Sequence, residues 1–353
     1  MKVAIDKSCI DKIKDFTEFE YIYVFDKEPL KEILDIDLHC INKDYIDEVD
    51  INLTSYDINC LKKANINDKE WYKLPPKKDY KFAIIVPNYN NDHGKYKGKT
   101  FFRNCIDSIL NQTYKNFELI IVDDLSTDTS VETVEEYRSK EQYIDKIHLI
   151  KNKRKRYNGG SRNAGIDYAL DNLEFDYFAF LDSDDWWKHN RVLEHINRRL
   201  YNEEMMILGS EMIDTNGSVC QTFNKFDNYE DMYFCINKVW CTAWSRIIRK
   251  DKIVYFCEDT LMEDRVWSYK QADNVNYERC ICLNEIVYCW NRLNTSNSVS
   301  MVRNPIWDAS AWCHIGHQLQ FIENMKHKEF KGILEGRIKA CINKANAGIY
   351  QQY

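Results

Sequence analysis

The chain has 353 residues, of which 44% are hydrophobic and 30% charged, so it is long enough to bury a large core and has an ordinary soluble composition. Its 11 glycines and 5 prolines are too few for a collagen-like or low-complexity chain. The net charge of −7 disfavours nucleic-acid binding, which depends on neutralised phosphates, and Lys151–Arg156 is the one candidate basic patch. The 13 cysteines are scattered, and we interpret them as free thiols in a reducing compartment, with zinc binding as a minor alternative.

Residues 1–78 are predicted to form an accessory region without a chemical motif. Phe19–Phe25 is rich in aromatic and β-branched residues, which is typical of a strand. Pro75–Asp79 is the clearest linker signal, and we place a domain boundary there. The N-terminal sequence lacks the apolar core of a signal peptide, and no run approaches the roughly 18 apolar residues of a membrane span. We therefore expect a cytoplasmic protein, with peripheral contact at the inner membrane face as the alternative.

Beyond the linker, short apolar strands alternate with helices. Strands are predicted over residues 82–87, 117–123, 147–150 and 177–182, and helices over 101–112, 130–140 and 161–170. Each strand is a continuous apolar run, which is typical of strands buried on both faces. The alternation predicts an α/β fold with a doubly wound, mostly parallel sheet flanked by helices. Residues 304–353 are predicted to be helical, because Leu334, Ile338 and Ile342 recur every four residues.

Polar side chains follow each of the four predicted strands. The segments concerned are Pro87–Asn90, Asp123–Asp128, Asn158–Gly165 and Asp182–Trp187. In open α/β sheets, ligands bind beyond the carboxyl ends of the strands. The sequence therefore predicts that several carboxylates and one arginine converge on a single edge of the sheet.

Asp182, Asp184 and Asp185 place three acids within four residues. Their charges repel one another unless a cation lies between them. Mg²⁺ and Mn²⁺ take oxygen ligands and often share them with phosphates. We therefore predict a metal-bridged diphosphate at this turn. The alternative is a solvated acidic turn that caps a helix beginning near Trp186.

Four segments, in this order, resemble the family 2 glycosyltransferases, which are inverting enzymes of the GT-A fold. They are VPNYN (86–90), SILNQTYKNFELIIVDDLSTD (108–128), NGGSRNAGI (158–166) and FLDSDDWW (180–187). The resemblance covers about residues 80–300 and implies a GT-A domain over 79–303, with a nucleotide-binding half (79–187) and an acceptor half (188–303). Two departures stand out. Leu125 replaces the usual Gly or Asn, which predicts an altered turn, and residues 91–99 form a longer, more polar link beside the donor.

The resemblance implies roles for the residues at the strand ends. Asp124 would accept from the base N–H, Arg162 would face the base or the diphosphate, and Asp182 would contact the ribose or a metal-bound water. Asp184 and Asp185 would hold Mn²⁺ or Mg²⁺. The full set implied to bind the donor is Pro87, Tyr89, Asn90, Asp123, Asp124, Arg162, Asp182, Ser183, Arg292 and Ser298.

The segment LMEDRVW (261–267) resembles the ED motif of the family's acceptor side. The resemblance implies that Asp264 deprotonates the acceptor hydroxyl, which is a weak nucleophile without a base. Asp259 is the alternative base, and a helix cap is the structural alternative. Glu263, Trp187 and Trp244 are predicted to lie on the acceptor side. The tryptophans would stack on sugar rings or else pack in the core.

These features together predict a metal-dependent inverting glycosyltransferase that uses a UDP-sugar to build a surface glycan or glycoconjugate. A nucleotidyltransferase is disfavoured, because Pro87–Asn90 replaces the expected Gly-rich phosphate loop. A catalytically silent nucleotide-sugar-binding protein is a second alternative. A phage-type glycosyltransferase acting on DNA is a third, disfavoured by the acidic charge. The third metal ligand stays open between His314, His317 and no histidine.

Overall fold

The computed structural model describes residues 2–6, 21–25, 78–200, 202–213, 217–223, 243–276, 279–292 and 305–347. Within the N-terminal region, strand β1 (Lys2–Asp6) pairs in parallel with β2 (Tyr21–Phe25). The predicted strand at Phe19–Phe25 is therefore confirmed over its last five residues. Of the predicted linker, residues 75–77 lie outside the described residues, and Lys78 and Asp79 lie within them.

A central mixed sheet carries the rest of the molecule. Its strands are β3 (Phe82–Asn88), β6 (Phe117–Asp123), β7 (Ile147–Lys151), β8 (Tyr177–Phe180), β9 (Trp186–Trp187), β10 (Met205–Ile213), β11 (Val219–Phe223), β12 (Arg246–Arg249) and β13 (Cys280–Asn291), with β4 (Lys95–Tyr96) and β5 (Lys99–Thr100) forming a separate hairpin. The order is β7-β6-β3-β8-β12-β10-β13-β9, and β11 pairs with β10. The first four strands are parallel, as their apolar runs predict.

The second half of the sheet mixes directions. Strand β12 lies antiparallel between β8 and β10, while β10 and β13 are parallel. Strand β9 pairs antiparallel with β13 through Trp186 and Trp187. This pairing corrects one alternative from the sequence, because the chain after the acidic turn enters a strand rather than a helix. The short β9 places the acidic turn directly beside β13.

Seven α-helices flank the sheet within the described residues. They are α1 (Phe101–Leu110), α2 (Ser130–Arg138), α3 (Asn158–Asn172), α4 (Val192–Arg199), α5 (Glu263–Asp273), α6 (Pro305–Asn324) and α7 (Lys331–Asn346). The three helices predicted in the first half are confirmed, and α3 begins three residues earlier than expected. Thr100 caps α1 by accepting from the Arg103 N–H.

The alternation of side chains along β3 divides the core into two layers. Phe82, Ile84 and Val86 pack on the side that α1 and α4 cover. Ala83 and Ile85 pack on the other side, against α3 and α5. Because successive side chains on a strand point to opposite faces, one fully buried strand needs helices on both sides. This arrangement holds the carboxyl ends of the parallel strands at one exposed edge.

The C-terminal helices form a third cluster with α5. Leu334 and Ile338 are buried there, and Ile342 packs partly against them, which confirms the predicted four-residue spacing over the described residues. Within the described part of the chain, no helix combines the length and low charge needed to cross a bilayer. The cysteines whose side chains are described include buried free thiols at Cys105, Cys257 and Cys289.

Gly165 brings α3 into close contact with the sheet and provides a test of this packing. A Cβ at this position would lie 2.6 Å from Ile85 Cγ2 and 3.2 Å from Val122 Cγ2. We expect Gly165→Ala to lower the free energy of unfolding by about 1–2 kcal/mol, because overpacking outweighs the helix propensity of alanine. Urea denaturation measures the change.

Gly336 is the matched control, since a Cβ there would have no neighbour within 4 Å. Gly336→Ala should raise the free energy of unfolding by about 0.5–1 kcal/mol through helix propensity alone. Equal effects of the two substitutions would contradict the close approach of α3 to the sheet.

Candidate active site

The acidic turn that follows β8 lies at the carboxyl edge of the sheet. Its Asp185 is almost fully buried, and both carboxylate oxygens accept hydrogen bonds from β13. Oδ2 accepts from the Tyr288 hydroxyl at 2.5 Å, and Oδ1 accepts from the Asn291 N–H at 2.7 Å. Asp185 therefore anchors the turn to β13. Its role as a metal ligand stays a prediction.

Asp184 is placed differently from its neighbour. Its backbone carbonyl accepts from Asn291 Nδ2 at 2.9 Å, which fixes the turn. Within the described residues, its carboxylate makes no hydrogen bond to another side chain. Burial and the charge of Asp182 raise the pKa of Asp184 to about 7. This carboxylate lacks a compensating cation, so Asp184 fits the predicted metal-ligand role.

Arg162 of α3 connects the acidic turn to α5. Its side chain is fully buried, and its guanidinium contacts three carboxylates. Nη2 donates to Asp182 Oδ1 at 2.6 Å, while Nη1 donates to Glu263 Oε1 at 2.5 Å and to Asp264 Oδ1 at 3.2 Å. Arg162 was predicted to face the donor. The structure buries its side chain against these three carboxylates. A contact of Arg162 with the donor stays a prediction.

One guanidinium cannot neutralise three carboxylates. Burial and the charge of Asp264 raise the pKa of Glu263 to about 8. Burial also raises the pKa of Asp264, and the charge of Asp182 adds to this effect. Only Asp264 Oδ1 is held, by Arg162 and by the Ala243 N–H at 3.4 Å. Within the described residues Oδ2 accepts no hydrogen bond, so it is available to take a proton.

The sequence around Arg162 explains why its side chain is fixed. A Cβ at Gly159 would lie 2.3 Å from the Cys257 carbonyl oxygen, so the first turn of α3 requires glycine for this contact. Asn163 exchanges two hydrogen bonds with the Phe256 backbone, at 2.8 and 3.0 Å. The Phe256 ring lies 5.3 Å from the Arg162 guanidinium and stacks on Trp267. An apolar wall therefore backs the cation.

The residues after β6 that are predicted to bind the donor are held by neighbouring loops. Asp124 is buried, with Oδ1 accepting from Asn152 Nδ2 at 2.7 Å and Oδ2 from the Tyr157 N–H at 2.8 Å. The side chain of Asp123 accepts from the Ser126 N–H. Pro87 lies within β3 and is buried. The structure brings these predicted residues together at one edge of the sheet. Both carboxylate oxygens of Asp124 already accept hydrogen bonds from the protein itself.

The turn at Leu125 keeps the conformation that glycine or asparagine favours. Leu125 has a φ of 68° and is 40% exposed. The predicted alteration of this turn is therefore wrong. Asn90 stabilises the turn, because its Oδ1 accepts from the Thr127 N–H at 2.6 Å and its N–H donates to Ser126 Oγ at 3.1 Å.

Tyr89 and Arg156 form an exposed pair at the same edge. The Arg156 guanidinium lies 4.8 Å from the centre of the Tyr89 ring, and Arg156 Nε lies 4.0 Å from Asp124 Oδ2. Arg154, from the same basic run, contacts Asp167 and Glu258. The charges of this run are therefore partly neutralised within the protein.

The two tryptophans predicted for sugar stacking lie in the core. Trp187 is 3% exposed and Trp244 is 2% exposed. The Trp244 ring stacks on Tyr288 at a centroid distance of 4.2 Å. Neither ring has a face open to solvent, so both rings pack in the core, which was the alternative to sugar stacking. Glu263 is also buried, at the carboxylate cluster.

The long link at residues 91–99 packs against the acidic turn. Asn91 Nδ2 donates to Ser183 Oγ at 2.5 Å. The Tyr96 ring, in the β4–β5 hairpin, stacks on Trp186 at 4.8 Å. Trp186, rather than Trp187, therefore presents a partly exposed aromatic surface next to the site.

The remaining predicted residues lie at the ends of the described segments. Arg292 follows β13, where its N–H donates to the Ile213 carbonyl, while Ser298 lies outside the described residues. His314 is fully buried beside Met262 and contacts Gln318. His317 Nε2 lies 2.6 Å from Asp259 Oδ1. His314 and His317 therefore lie where α6 meets the segment that precedes α5.

Three supporting residues were missed from the sequence. Asn152 holds Asp124, and its position directly after β7 was a usable signal, because strand ends line this edge. Tyr288 holds Asp185, and Phe256 backs Arg162. Neither of these carried a sequence signal, because their contacts join positions more than 90 residues apart.

Removing the buried cation should destabilise the site strongly. We expect Arg162→Met to lower the free energy of unfolding by about 3–5 kcal/mol at pH 8, because it leaves buried carboxylates without a partner. Arg154→Met, which removes a partly exposed ion pair, should cost about 1 kcal/mol or less. Chemical denaturation compares the two variants, and equal losses would contradict a central role for Arg162.

Glu263 should make stability fall as pH rises. Its pKa is raised from an ordinary value of 4.5 to about 8, so the folded state holds a proton that the unfolded state releases. Its contribution is therefore complete below about pH 4.5 and is lost as pH rises through about 8. We expect Glu263→Gln to reduce the decline in the free energy of unfolding between pH 5 and 8.

Glu258 provides a control of opposite sign. Burial opposes its ionisation, but hydrogen bonds from Asn163 and Arg154 lower its pKa overall. Glu258 therefore contributes stability above its ordinary pKa that is lost as pH falls. Glu258→Gln should leave the decline between pH 5 and 8 in place. A decline that persists unchanged in Glu263→Gln would show that another group causes it.

The sequence of this chain is similar to those of known glycosyltransferases. Residues 83–234 match the model of Glycosyl transferase family 2. Over 145 residues, the chain is 33% identical to the UDP-Glc:alpha-D-GlcNAc-diphosphoundecaprenol beta-1,3-glucosyltransferase WfgD of Escherichia coli. That match covers 41% of this chain and 51% of the relative, so the chain spans about half the length of WfgD.

Solved structures share the fold at low identity. TarS 1–349 of S. aureus in complex with UDP has a TM-score of 0.53 and 21% identity, covering 75% of this chain and 71% of that one. The mannosyltransferase PcManGT of Pyrobaculum calidifontis, in complex with GDP-Man and Mn²⁺, has a TM-score of 0.50 and 17% identity, covering 82% of this chain and 80% of that one. The fold is accordingly GT-A, and residues 83–234 of this chain are similar to the family 2 glycosyltransferases.

Proposed function

We propose that this chain is a metal-dependent inverting glycosyltransferase that transfers a sugar from a UDP-sugar to an acceptor hydroxyl during synthesis of a surface glycan or glycoconjugate. The observation that carries the proposal is the bonding of Asp182, from the donor edge, and Asp264, from the acceptor side, to one buried guanidinium. The arrangement fixes two carboxylates of different predicted roles relative to each other. The UDP of the TarS complex and the UDP-Glc in the name of WfgD favour a UDP-sugar donor.

Asp264 is the proposed general base. Its side chain is 26% exposed, whereas Glu263 beside it is 4% exposed. Burial raises the pKa of Asp264, which brings it closer to neutral pH and strengthens it as a base. Arg162 holds Oδ1, so Oδ2 is the oxygen that accepts the proton of the acceptor hydroxyl. The hydroxyl oxygen then attacks the anomeric carbon from the face opposite the departing nucleotide, which inverts that centre.

Asp182 and Asp184 are the proposed partners of a divalent cation, Mn²⁺ or Mg²⁺. Both supply carboxylate oxygens, which these ions prefer. The raised pKa of Asp184 supports this assignment, because it results from burial and from the charge of Asp182, and a bound cation would offset both effects. A bound divalent ion would neutralise charge on the leaving diphosphate. The Mn²⁺ of the PcManGT complex favours the same assignment.

The rest of the donor site is proposed to be the edge formed by β3, β6 and β8. Tyr89 and Arg156 offer an aromatic face and a cation at its exposed end. Asp123 and Asp124 lie deeper, and Asn90 fixes the loop between them and Tyr89. Trp186 and Tyr96 form the aromatic surface closest to the acidic turn, and we assign sugar contact to this pair.

Nucleotide release from a panel of UDP-, GDP-, dTDP- and CMP-sugars tests the proposal. We expect release from a UDP-sugar with Mn²⁺ and its loss with EDTA. Asp264→Asn should lower the rate by about 100-fold or more, as expected for loss of a general base. Chromatography of the released nucleotide measures the rate.

Asp259→Asn is the matched control, because Asp259 is paired with His317 and is 44% exposed. It should keep release within a few-fold of the unchanged chain. Release that falls in Asp259→Asn and persists in Asp264→Asn would move the base to Asp259. UDP binding without any release, even with acceptor extracts, would indicate a silent binding protein. Absence of nucleotide binding would refute the glycosyltransferase proposal.

A further inference from the structure

A second cluster of metal-ligating side chains lies outside the network of Arg162. His189 lies between β9 and α4, His195 lies within α4, and Glu285 lies on β13. Glu285 Oε1 is 3.0 Å from His189 Nε2, and Glu285 Oε2 is 2.7 Å from His195 Nδ1. One potential ligand atom from each residue lies within 4.8 Å of the other two. Three separate elements therefore direct nitrogen and oxygen atoms toward one point.

The backbone fixes each of the three positions. In the pairing of β13 with β10, Leu283 and Ile286 face successive residues of β10, so a bulge at residues 284–285 leaves Glu285 unpaired in the ladder. The His189 carbonyl accepts from the buried side chain of Gln112 at 2.8 Å. His195 lies on a helix whose apolar face packs in the core. The cluster is therefore held by rigid elements, as a metal site requires.

We propose that His189, His195 and Glu285 bind a divalent transition-metal ion of the zinc class, separate from the ion assigned to Asp182 and Asp184. Two imidazoles and one carboxylate, with a fourth position left to water, form a known zinc donor set. Their side chains are 32%, 12% and 20% exposed, which gives an ion and a water access to the site. The acidic turn offers only oxygen atoms, so the two sites differ in the metals that they favour.

Metal binding requires small changes in the cluster. The nitrogen and oxygen atoms now lie at hydrogen-bond distance and would separate to about 3.3 Å around a tetrahedral zinc. The Arg191 N–H now donates to His189 Nδ1 at 3.2 Å. Zinc at Nε2 places the imidazole proton on Nδ1, so this long hydrogen bond opens. The proton that each neutral imidazole holds toward Glu285 moves to its other ring nitrogen when the metal binds.

The bound ion would tie two parts of the acidic-turn scaffold together. His189 lies four residues after Asp185, and Glu285 lies three residues before Tyr288, which holds Asp185. The metal would therefore link the β9–α4 connection to β13 within a few residues of this anchor. Its role is structural, and the proposal does not depend on the glycosyltransferase reaction.

Zinc titration of the tag-free, EDTA-stripped chain tests the site without any nucleotide. We expect one bound zinc by calorimetry and elemental analysis, with a higher melting temperature in zinc than in EDTA. His195→Ala and Glu285→Gln should each weaken binding by about 100-fold or more. Co²⁺ should give the visible absorption of a low-coordinate nitrogen and oxygen site, and this absorption should be lost in both variants.

Two controls separate this site from others. His148 forms a similar pair with Glu118 at 3.1 Å, so His148→Ala should bind zinc as the unchanged chain does. Asp184→Asn should also keep the zinc. Loss of zinc in Asp184→Asn alone would place the ion at the acidic turn and overturn the proposal. Equal affinity in His195→Ala, or no stoichiometric binding, would show that the cluster is held by hydrogen bonds only. Glu285→Gln keeps an acceptor oxygen beside the histidines, so loss of zinc in this variant would not be explained by unfolding.

Discussion

The buried guanidinium of Arg162 is the interaction on which the rest of the site depends. It is fully enclosed and bonded to Asp182, Glu263 and Asp264, so it joins the parallel half of the sheet to α5. The three carboxylates raise the pKa of Arg162, although burial alone would lower it. Because one positive charge faces three acids, the cluster favours an added proton or cation. An excess of buried negative charge lowers the stability of the folded protein, and it is typical of a site that binds a positively charged group.

Two neighbouring acids near this cation are held differently by the protein. Asp185 and Asp184 are adjacent in sequence, yet one is fixed by Tyr288 and Asn291 while the other is left without a side-chain partner in the described residues. The anchoring strand β13 also carries the bulge that directs Glu285 toward the two histidines. One strand thus serves the acidic turn and the second proposed metal site. The stiffness of β13, which pairs with both β10 and β9, keeps these groups in register.

The parallel half of the fold could be predicted because its signals are local. The apolar runs at β3, β6, β7 and β8 indicate burial on both faces, and the polar residues after them mark the carboxyl edge of the sheet. The direction in which individual side chains point was harder to predict from the sequence. Tryptophan rings can stack on sugars, but Trp187 and Trp244 are core residues, because β9 and the segment before β12 are buried. Leu125 shows that a backbone turn persists without its favoured residue when Asn90 ties the loop.

The sequence by itself determined the α/β alternation, the sheet edge where polar residues gather, and the acids of the segments Asp182–Asp185 and Glu263–Asp264. These follow from periodicity and from residues that are close in the chain. The tertiary structure alone decided that Arg162 lies beneath those acids, that Asp185 is an anchor, and that His189 and His195 meet Glu285. Apart from the pairing of Arg162 with Asp182, which are 20 residues apart, these pairings join positions some 90 to 106 residues apart. No local pattern encodes them, because they arise only when strands and helices distant in sequence pack at one place.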